Sequence, residues 1–486
     1  MAFKNYRVYI LTAVAYLGSL LFGYDTGVMG SVLALKSFKH DFGLPTDSSG
    51  FASSRNAKVS SNVVSLLTAG CFFGSIFAAF LNERIGRRYG LMVFSSIFMI
   101  GAAVQVGAHH HIGQIYGGRV IAGFGIGGMS AITPVLRIPQ STKQWRIPVA
   151  IQLIPGGLMF IGLFFLKESP RWLMRQGRYE EAHASLAYIR NEPQDSEEVL
   201  KEFSEIRASL EEELAATEGV TWKEAISKSN RYRFFLAFCL MFWQQFSGTN
   251  SIGYYAPQIF QTVGVSSTNT SLFATGVYGS VKVVMTLIFL LVGIDFIGRK
   301  KALIGGGIWM STMMIIIGAV LATHPPNTKS DVVSPASIAM IVLIYLYVIG
   351  YSASWGPTPW VYVSEIFPTR LRAYGVGLAA ATQWLFNFVI TEITPNAVNH
   401  IGWRTFLMFG IFCLAMSVFV TFFVKETKGR SLEDMDILFG SVDEAQRAAD
   451  VEQVLNKAHI AQAEHSEHLE MARRDQEESE NKEVAH

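Results

Sequence analysis

The sequence "NERIGRR" at residues 82–88 returns in altered form as "IDFIGRK" at residues 294–300. Each copy follows an apolar run of about 20 residues, which is the length that a helix needs to cross a bilayer. A second pair, "KESPRWL" at residues 167–173 and "KETKGRS" at residues 425–431, follows the last apolar run of each half. This duplication predicts two similar helical bundles in a membrane, an organisation typical of transporters.

The composition indicates a membrane protein and argues against several other classes. Of the 486 residues, 50% are hydrophobic and 16% are charged, whereas a soluble protein has about 25% charged residues. Cys71, Cys239 and Cys413 lie inside apolar runs, without the spacing of a metal site or a disulfide framework. We therefore expect an all-α polytopic membrane protein in contact with lipid. No enzyme activity, cofactor, metal or nucleic-acid partner is expected.

Eleven apolar runs are long enough to be membrane spans. They lie near residues 8–34, 60–81, 90–108, 113–135, 147–166, 234–261, 272–294, 302–322, 337–363, 374–395 and 403–424. From Gly86 to Lys167 is 81 residues, but from Gly298 to Lys425 is 127, so the first half is 46 residues shorter. The Arg-rich segments should all face the cytoplasm, which also requires a twelfth crossing. We therefore expect that the fifth helix of the first half is missing near residues 135–146.

These spans predict four regions. Residues 1–166 form the first transmembrane bundle, and residues 167–233 form a cytoplasmic helical linker. Residues 234–424 form a second bundle of six helices, and residues 425–486 form a cytoplasmic tail. Both termini are expected in the cytoplasm.

Five phrases together resemble the sugar porter family of the major facilitator superfamily over about residues 8–435. They are "KESPRWL", "KETKG", "GRVIAGFGIGG" (118–128), "QQFSGTNSIGYY" (244–255) and "GPTPWVYVSEIFPTRLR" (356–372). The resemblance implies a major facilitator fold, in which two bundles surround a central cavity and work by alternating access. The chain departs from the family in lacking the fifth helix, and in lacking the Pro and acidic residue after "TPV".

Within the family, the sequence of these motifs is most similar to that of fungal quinate permeases. This implies a monomeric importer in the plasma membrane that couples protons to the uptake of quinate or a related cyclic hydroxy-acid. A neutral hexose or pentose transporter is the alternative within transport, and a nutrient sensor that does not transport is the alternative outside it. With one helix missing, an inactive product is a further alternative.

Polar residues at membrane depth predict the substrate site. Amides both donate and accept hydrogen bonds, which suits a polyhydroxylated ring, although amides also bridge helices. In "GPTPW" two prolines break a span. The family pattern implies that this break is a gate, and the alternative is a kink with a role in packing only. Together with the resemblance, these patterns predict that substrate is bound by Gln244, Gln245, Asn250, Tyr255, Lys282, Trp360, Gln383 and Asn387.

Lys282 is the least expected of these residues because it lies near the middle of a span. A charge there costs roughly 2.5–3.5 kcal/mol on insertion scales. The family pattern has an asparagine at about this place. We expect Lys282 to bind a substrate carboxylate; the alternative is an ion pair with a protein acid such as Glu392.

Asp25 and Arg119 are the intramembrane charges of the first half. Both lie roughly 10–12 Å deep, from a rise of 1.5 Å per residue, so they can meet. Protonation of Asp25 would release Arg119 and couple proton entry to conformation. The alternative is a purely structural ion pair.

The repeated charged motifs predict a cytoplasmic gate. By the resemblance they latch the outward-open state as a network, since single solvated ion pairs are weak. The gate residues are Glu83, Arg84, Arg87, Arg88, Glu168, Asp295, Arg299, Glu365, Arg372 and Glu426. The missing acid of the first half leaves its latch incomplete.

Overall fold

The protein folds into helices that follow the predicted spans closely. The computed structural model describes residues 29–45, 54–109, 111–126, 146, 149–217, 228–263, 268–325, 334–429, 435 and 438–439. Within these ranges there is no strand, which confirms the all-α class. Most of the first predicted span, 8–34, and the segment 135–145, where the fifth helix is expected to be missing, lie outside the described residues.

Eighteen α-helices are bounded within the described ranges, and residues 29–34 and 149–151 are helical as well. In chain order they are α1 (Lys36–Asp41), α2 (Ser54–Ile85), α3 (Arg87–Val106), α4 (Ile112–Ile126), α5 (Leu153–Phe164), α6 (Pro170–Arg175), α7 (Tyr179–Arg190), α8 (Glu197–Thr217), α9 (Lys228–Phe246), α10 (Thr249–Tyr254), α11 (Ala256–Thr262), α12 (Thr268–Ile288), α13 (Ile294–Ile297), α14 (Arg299–Thr323), α15 (Pro335–Ser352), α16 (Thr358–Ile366), α17 (Thr369–Ile401) and α18 (Arg404–Phe423). A π-helical turn, Phe289–Gly293, joins α12 to α13.

The predicted count of eleven spans is approximate. Among the described residues, seven helices are long and apolar enough to cross a membrane, namely α2, α3, α12, α14, α15, α17 and α18. The apolar helical stretch Val149–Phe164, which contains α5, is shorter than these seven. The predicted spans 234–261 and 337–363 are each broken, the first into α9, α10 and α11 and the second into α15 and α16.

The sequence duplication is visible as two matching helix starts. Gly86 precedes α3 with a φ of 87°, and Gly298 precedes α14 with a φ of 89°. A Cβ on Gly86 would lie 2.6 Å from Oε2 of Glu168, and one on Gly298 would lie 2.9 Å from Oε2 of Glu426. Both positions therefore favour glycine through their backbone conformation and through the close carboxylate.

The two carboxylates perform the same task in the two halves. Glu168 accepts the backbone N–H of Arg88 at 3.1 Å, and Glu426 accepts the backbone N–H of Arg299 at 2.9 Å. The first N–H groups of a helix have no partner within it, and its N-terminus carries partial positive charge. Each half thus uses the acid of its closing motif to stabilise the start of its third helix.

Helices α6, α7 and α8 lie between the two bundles in the chain and have a small core of their own, which includes Leu173, Ala182 and Leu210. The guanidinium of Arg190 in α7 donates to Glu202 in α8 at 2.6 Å, and this bond raises the pKa of Arg190. We call the membrane face that carries α6–α8 the linker side. The far side is the opposite face, where α2 begins and α17 ends.

The bundles meet mainly where α2 of the first half packs along α17 of the second. The described hydrogen bonds between bundles all lie in the far-side half of the helices. They are Ser61 to the Glu392 carbonyl, Ser65 to the Glu392 carboxylate, Tyr255 to the Ser60 carbonyl and Gln258 to the Gly30 carbonyl. The far side is therefore closed in this structure.

Candidate substrate site and gates

The motif "QQFSGTNS" is placed by a helix break at Gly248. Helix α9 ends at Phe246 and α10 begins at Thr249, and Gly248 between them has a φ of 86°. A Cβ at this position would lie 2.8 Å from ring carbon Cγ of Phe409 in α18. Glycine is therefore required both by the left-handed backbone and by the close aromatic ring.

Gln244 supports a second break, the one between α15 and α16. Its Nε2 donates to the carbonyl oxygens of Trp355 at 2.7 Å and Gly356 at 3.0 Å. The Trp355 carbonyl lacks an intrahelical donor because the residue four positions later is Pro359, which has no N–H. Both amide hydrogens of Gln244 are thus bonded to the protein, although the sequence predicted contact with substrate.

The other two amides of the motif are bonded in series to Gln244. Nε2 of Gln245 donates to Oε1 of Gln244 at 3.3 Å, and Nδ2 of Asn250 donates to Oε1 of Gln245 at 2.6 Å. Asn250 is half-buried, and within the described ranges its Oδ1 makes no hydrogen bond. Asn250 is therefore the amide of this motif with most capacity left for a ligand.

Polar and cationic side chains from four helices converge in the second bundle. Nδ2 of Asn387 in α17 donates to the hydroxyl of Tyr254 in α10 at 3.0 Å. The hydroxyls of Tyr254 and Tyr351 lie close enough to interact electrostatically. The Nζ of Lys282 in α12 lies 5.4 Å from the ring centroid of Tyr351 in α15.

Two groups in this cluster lack the partners that buried polar groups normally have. Asn387 is buried, and its Oδ1 has no hydrogen-bond partner in the described part of the chain. Over the same ranges Lys282 forms no ion pair with a carboxylate. The carboxylate of Glu392, the protein acid considered for that role, instead accepts a hydrogen bond from Ser65 at 2.6 Å. Since unpaired polar groups are costly inside proteins, the cluster has the character of a binding site.

Gln383 and Trp360 are both half-buried. Gln383 lies four residues before Asn387 in α17, so the two share one helix face, and the Gln383 side chain makes no hydrogen bond to described residues. Trp360 packs on the apolar core of the second bundle.

Tyr255 belongs to the contact between the bundles. It is fully buried, and its hydroxyl lies 2.9 Å from the carbonyl oxygen of Thr391 and 3.4 Å from that of Ser60. The Thr391 carbonyl is free to accept because Pro395, four residues later in α17, has no N–H. Adjacent residues of a helix point in different directions, so Tyr254 reaches Asn387 while Tyr255 reaches the first bundle.

The intramembrane charges of the first half are only partly described. Arg119 is fully buried in α4, and its Nε donates to the carbonyl oxygen of Val63 in α2 at 2.9 Å. Asp25 lies outside the described residues, so its pairing with Arg119 stays a prediction.

The linker side of the second half contains an ion pair among the predicted gate residues. Nη2 of Arg299 lies 2.8 Å from Oε1 of Glu365, and the hydroxyl of Thr427 donates to Oε2 of the same carboxylate at 2.8 Å. In the first half, the Arg88 side chain instead donates to the carbonyl oxygens of Leu163 and Phe164 at the end of α5.

Of the other predicted gate residues, Arg84 and Arg372 have described side chains. Arg84 is exposed, and Arg372 donates to the carbonyl oxygen of Phe367 at 3.4 Å. The side chains of Glu83, Arg87 and Asp295 lie outside the described part of the structure.

Sequence reasoning missed Tyr254 and Tyr351 as members of the cluster. Tyr254 had a usable signal, since it lies in the same motif as the three amides. Tyr351 lies in an apolar helix without a polar pattern, so only the fold brings it to Lys282.

Two helical bundles joined by a linker, with polar side chains at membrane depth, define a transport protein of the major facilitator class. Comparison with known proteins agrees. The family model described as "Sugar (and other) transporter" matches residues 11–138 and 136–439. The quinate permease of Emericella nidulans is 37% identical over 480 residues, covering 90% of this chain and 89% of that protein. A probable quinate permease of Aspergillus fumigatus is 37% identical over 481 residues, covering 90% and 88%.

Solved structures show the same fold. The proton:xylose symporter XylE bound to 6-bromo-6-deoxy-D-glucose matches with a TM-score of 0.68 and 26% identity, covering 90% of this chain and 100% of that one. The inward open form of XylE from E. coli matches with a TM-score of 0.70 and 25% identity, covering 89% and 99%. The chain belongs to the sugar transporter family of the major facilitator superfamily and is a multi-pass membrane transporter, not an enzyme.

Proposed function

We propose that this transporter imports quinate or a related cyclic hydroxy-acid, together with protons, across the plasma membrane. The linker side then faces the cytoplasm with both termini, and the protein works as a monomer. The observation that carries the choice of an acid is Lys282, an ammonium within the membrane that contacts the face of Tyr351. The similarity of the whole chain to quinate permeases supports the same choice.

The cluster around Lys282 has the two properties that a hydroxylated acid requires. The ammonium is a donor for a carboxylate, and charge-assisted bonds of this kind are stronger than neutral ones. Oδ1 of Asn387 and the nearby hydroxyl of Tyr254 suit the hydroxyl groups of a ring. A neutral sugar would leave the ammonium uncompensated, which is the reason for preferring the acid.

Replacing Lys282 with asparagine should weaken quinate uptake far more than uptake of a neutral sugar. A hydrogen bond to a charged group contributes about 1.5–3 kcal/mol, so KM for quinate should rise roughly 10–100-fold. Radiolabelled uptake of quinate and xylose measures both. Lys282→Arg should retain part of the affinity, and Lys301→Asn, at an exposed lysine of α14, serves as the control. Equal loss for both substrates would contradict a carboxylate role.

A sensor that binds without transporting is the alternative of another class. Counterflow in proteoliposomes separates the two, because a transporter exchanges internal for external substrate and a sensor shows binding alone.

Proton coupling is proposed to depend on Asp25 and Arg119. Asp25→Asn removes the group that would carry the proton, so uptake driven by a pH gradient should no longer concentrate substrate, while exchange at equal pH continues. Accumulation ratios in proteoliposomes with and without a gradient measure this. Unchanged uphill uptake in Asp25→Asn would assign the pair a structural role.

We also propose that the first half lacks its fifth helix. The family model matches in two pieces that meet at residues 136–138. In the match to the Aspergillus fumigatus relative, 90% of 486 residues is about 437, so about 44 of the 481 aligned positions have no residue in this chain. The split in the family match supports a gap near residues 135–146. The number of unmatched positions is close to the 46 residues by which the first half is shorter.

Helix α12 supports the same proposal. The duplication equates α2 with α12, and α17 with the fifth helix of the first half. Since α2 packs on α17, α12 should pack on that fifth helix. In the most apolar stretch of α12, 11% of the residues are buried inside the protein. In the corresponding stretches of the other six long apolar helices, 33–61% are buried. Sequencing the messenger RNA across Val135 tests this. A message with about 46 further codons at that point would supply the missing helix. A message without them, together with counterflow by the 486-residue chain, would contradict a need for that helix in transport.

A further inference from the structure

Glu392 is a membrane-embedded carboxylate that none of the roles described above uses. It lies nine residues before the end of α17, which is about 13 Å along the helix at 1.5 Å per residue. Its Oε2 accepts the hydroxyl of Ser65 in α2 at 2.6 Å, and its carbonyl oxygen accepts the hydroxyl of Ser61 at 3.1 Å. One residue thus receives two hydrogen bonds from the opposite bundle.

The surroundings of these bonds are well packed. Ser61 and Ser65 are both buried, so water does not compete for their hydroxyls in this state. The hydroxyls of Tyr116 in α4 and Tyr255 lie close enough to interact electrostatically with the carboxylate.

We infer that Glu392 is a positioning residue for transport, whose carboxylate holds the far side closed by bonding Ser65. Alternating access requires α2 and α17 to separate at this end, because their contact closes the far side. Separation breaks both bonds and exposes the carboxylate to water. Glu392 therefore stabilises the far-side-closed state relative to the open one, whichever substrate the protein carries.

The test is the distance between the far-side ends of α2 and α17. Spin labels on cysteines introduced at Arg55 and His400, two exposed positions at those ends, report it by pulsed electron resonance once Cys71, Cys239 and Cys413 are replaced. The parent protein should show mainly the short distance. Glu392→Ala and Ser65→Ala should each raise the population with the long distance about tenfold, the effect of losing one bond to a charged group.

The control variants separate this role from a general loss of structure. Ser75→Ala removes a hydroxyl of α2 that bonds only Phe72 of its own helix, and should leave the distances unchanged. Glu392→Gln keeps an acceptor for Ser65 and should lie between the parent and Glu392→Ala. The double variant Glu392→Ala/Ser65→Ala should shift the distances no further than either single variant, since both break the same bond. Unchanged distances in the single variants, or additive shifts in the double variant, would overturn the inference.

Discussion

Replacing Gly30 with valine should abolish uptake by preventing the far side from closing. A Cβ at Gly30 would lie on the carbonyl oxygen of Tyr254, so the first span could no longer approach α10. The carbonyl oxygen of Gly30 also accepts Nε2 of Gln258 at 3.1 Å, and this bond between the bundles would be lost. We expect uptake to fall more than 100-fold, because a backbone atom cannot move aside as a flexible side chain can.

Binding and conformation distinguish this effect from misfolding. Gly30→Val should still bind substrate, and labels at Arg55 and His400 should report the long distance. Gly117→Val is the matched control, because Gly117 is an exposed helical glycine with open space where its Cβ would lie. Uptake by Gly30→Val close to that of Gly117→Val would show that this contact does not limit closure.

Replacing Gly248 with valine should destabilise the folded protein by about 3 kcal/mol or more. A β-branched residue is strained at a φ of 86°, and its Cβ would lie 2.8 Å from the Phe409 ring. The change should lower the thermal unfolding midpoint in detergent and the yield of monodisperse protein. Both are measured by thermal unfolding and size-exclusion chromatography.

A second variant separates the two causes. Phe409→Ala removes the steric contact but opens a cavity of its own, since Phe409 is buried, so the double variant is compared with Phe409→Ala alone. Gly248→Ala should cost less stability in that background than in the parent, and the cost that remains is the backbone strain. Gly377→Val, at an exposed glycine of α17 with open space around it, provides the baseline. A thermal midpoint for Gly248→Val equal to that baseline would mean that α9 and α10 can join without a left-handed residue.

Much of the linker-side architecture could be predicted from the repeated motifs. Because "ERIGRR" and "DFIGRK" each combine a glycine with basic residues, and each half ends in "KE", the sequence indicated a conserved arrangement in the two halves. The structure shows what that arrangement is, with Glu168 and Glu426 at the starts of α3 and α14. The pattern had suggested ion pairs between side chains, but Glu168 and Glu426 bond backbone N–H groups, because helix starts need acceptors.

The substrate site could be predicted only in part. The sequence placed Gln244 at membrane depth, but could not show that Pro359 leaves the Trp355 carbonyl without a donor that Gln244 then supplies. It likewise could not separate Tyr254 from Tyr255, because the choice depends on how the broken helix is rotated against α17 and α2.

The membrane class, the duplication and the family could be predicted without a structure, because they follow from helix length, hydrophobic runs and repeated motifs. Which polar residues meet became visible only in the folded molecule. Lys282 contacts Tyr351 and not Glu392, and Glu392 bonds Ser65 across the bundles. Such pairings depend on helix rotation and on the contact between two bundles far apart in the chain, and no local pattern encodes either.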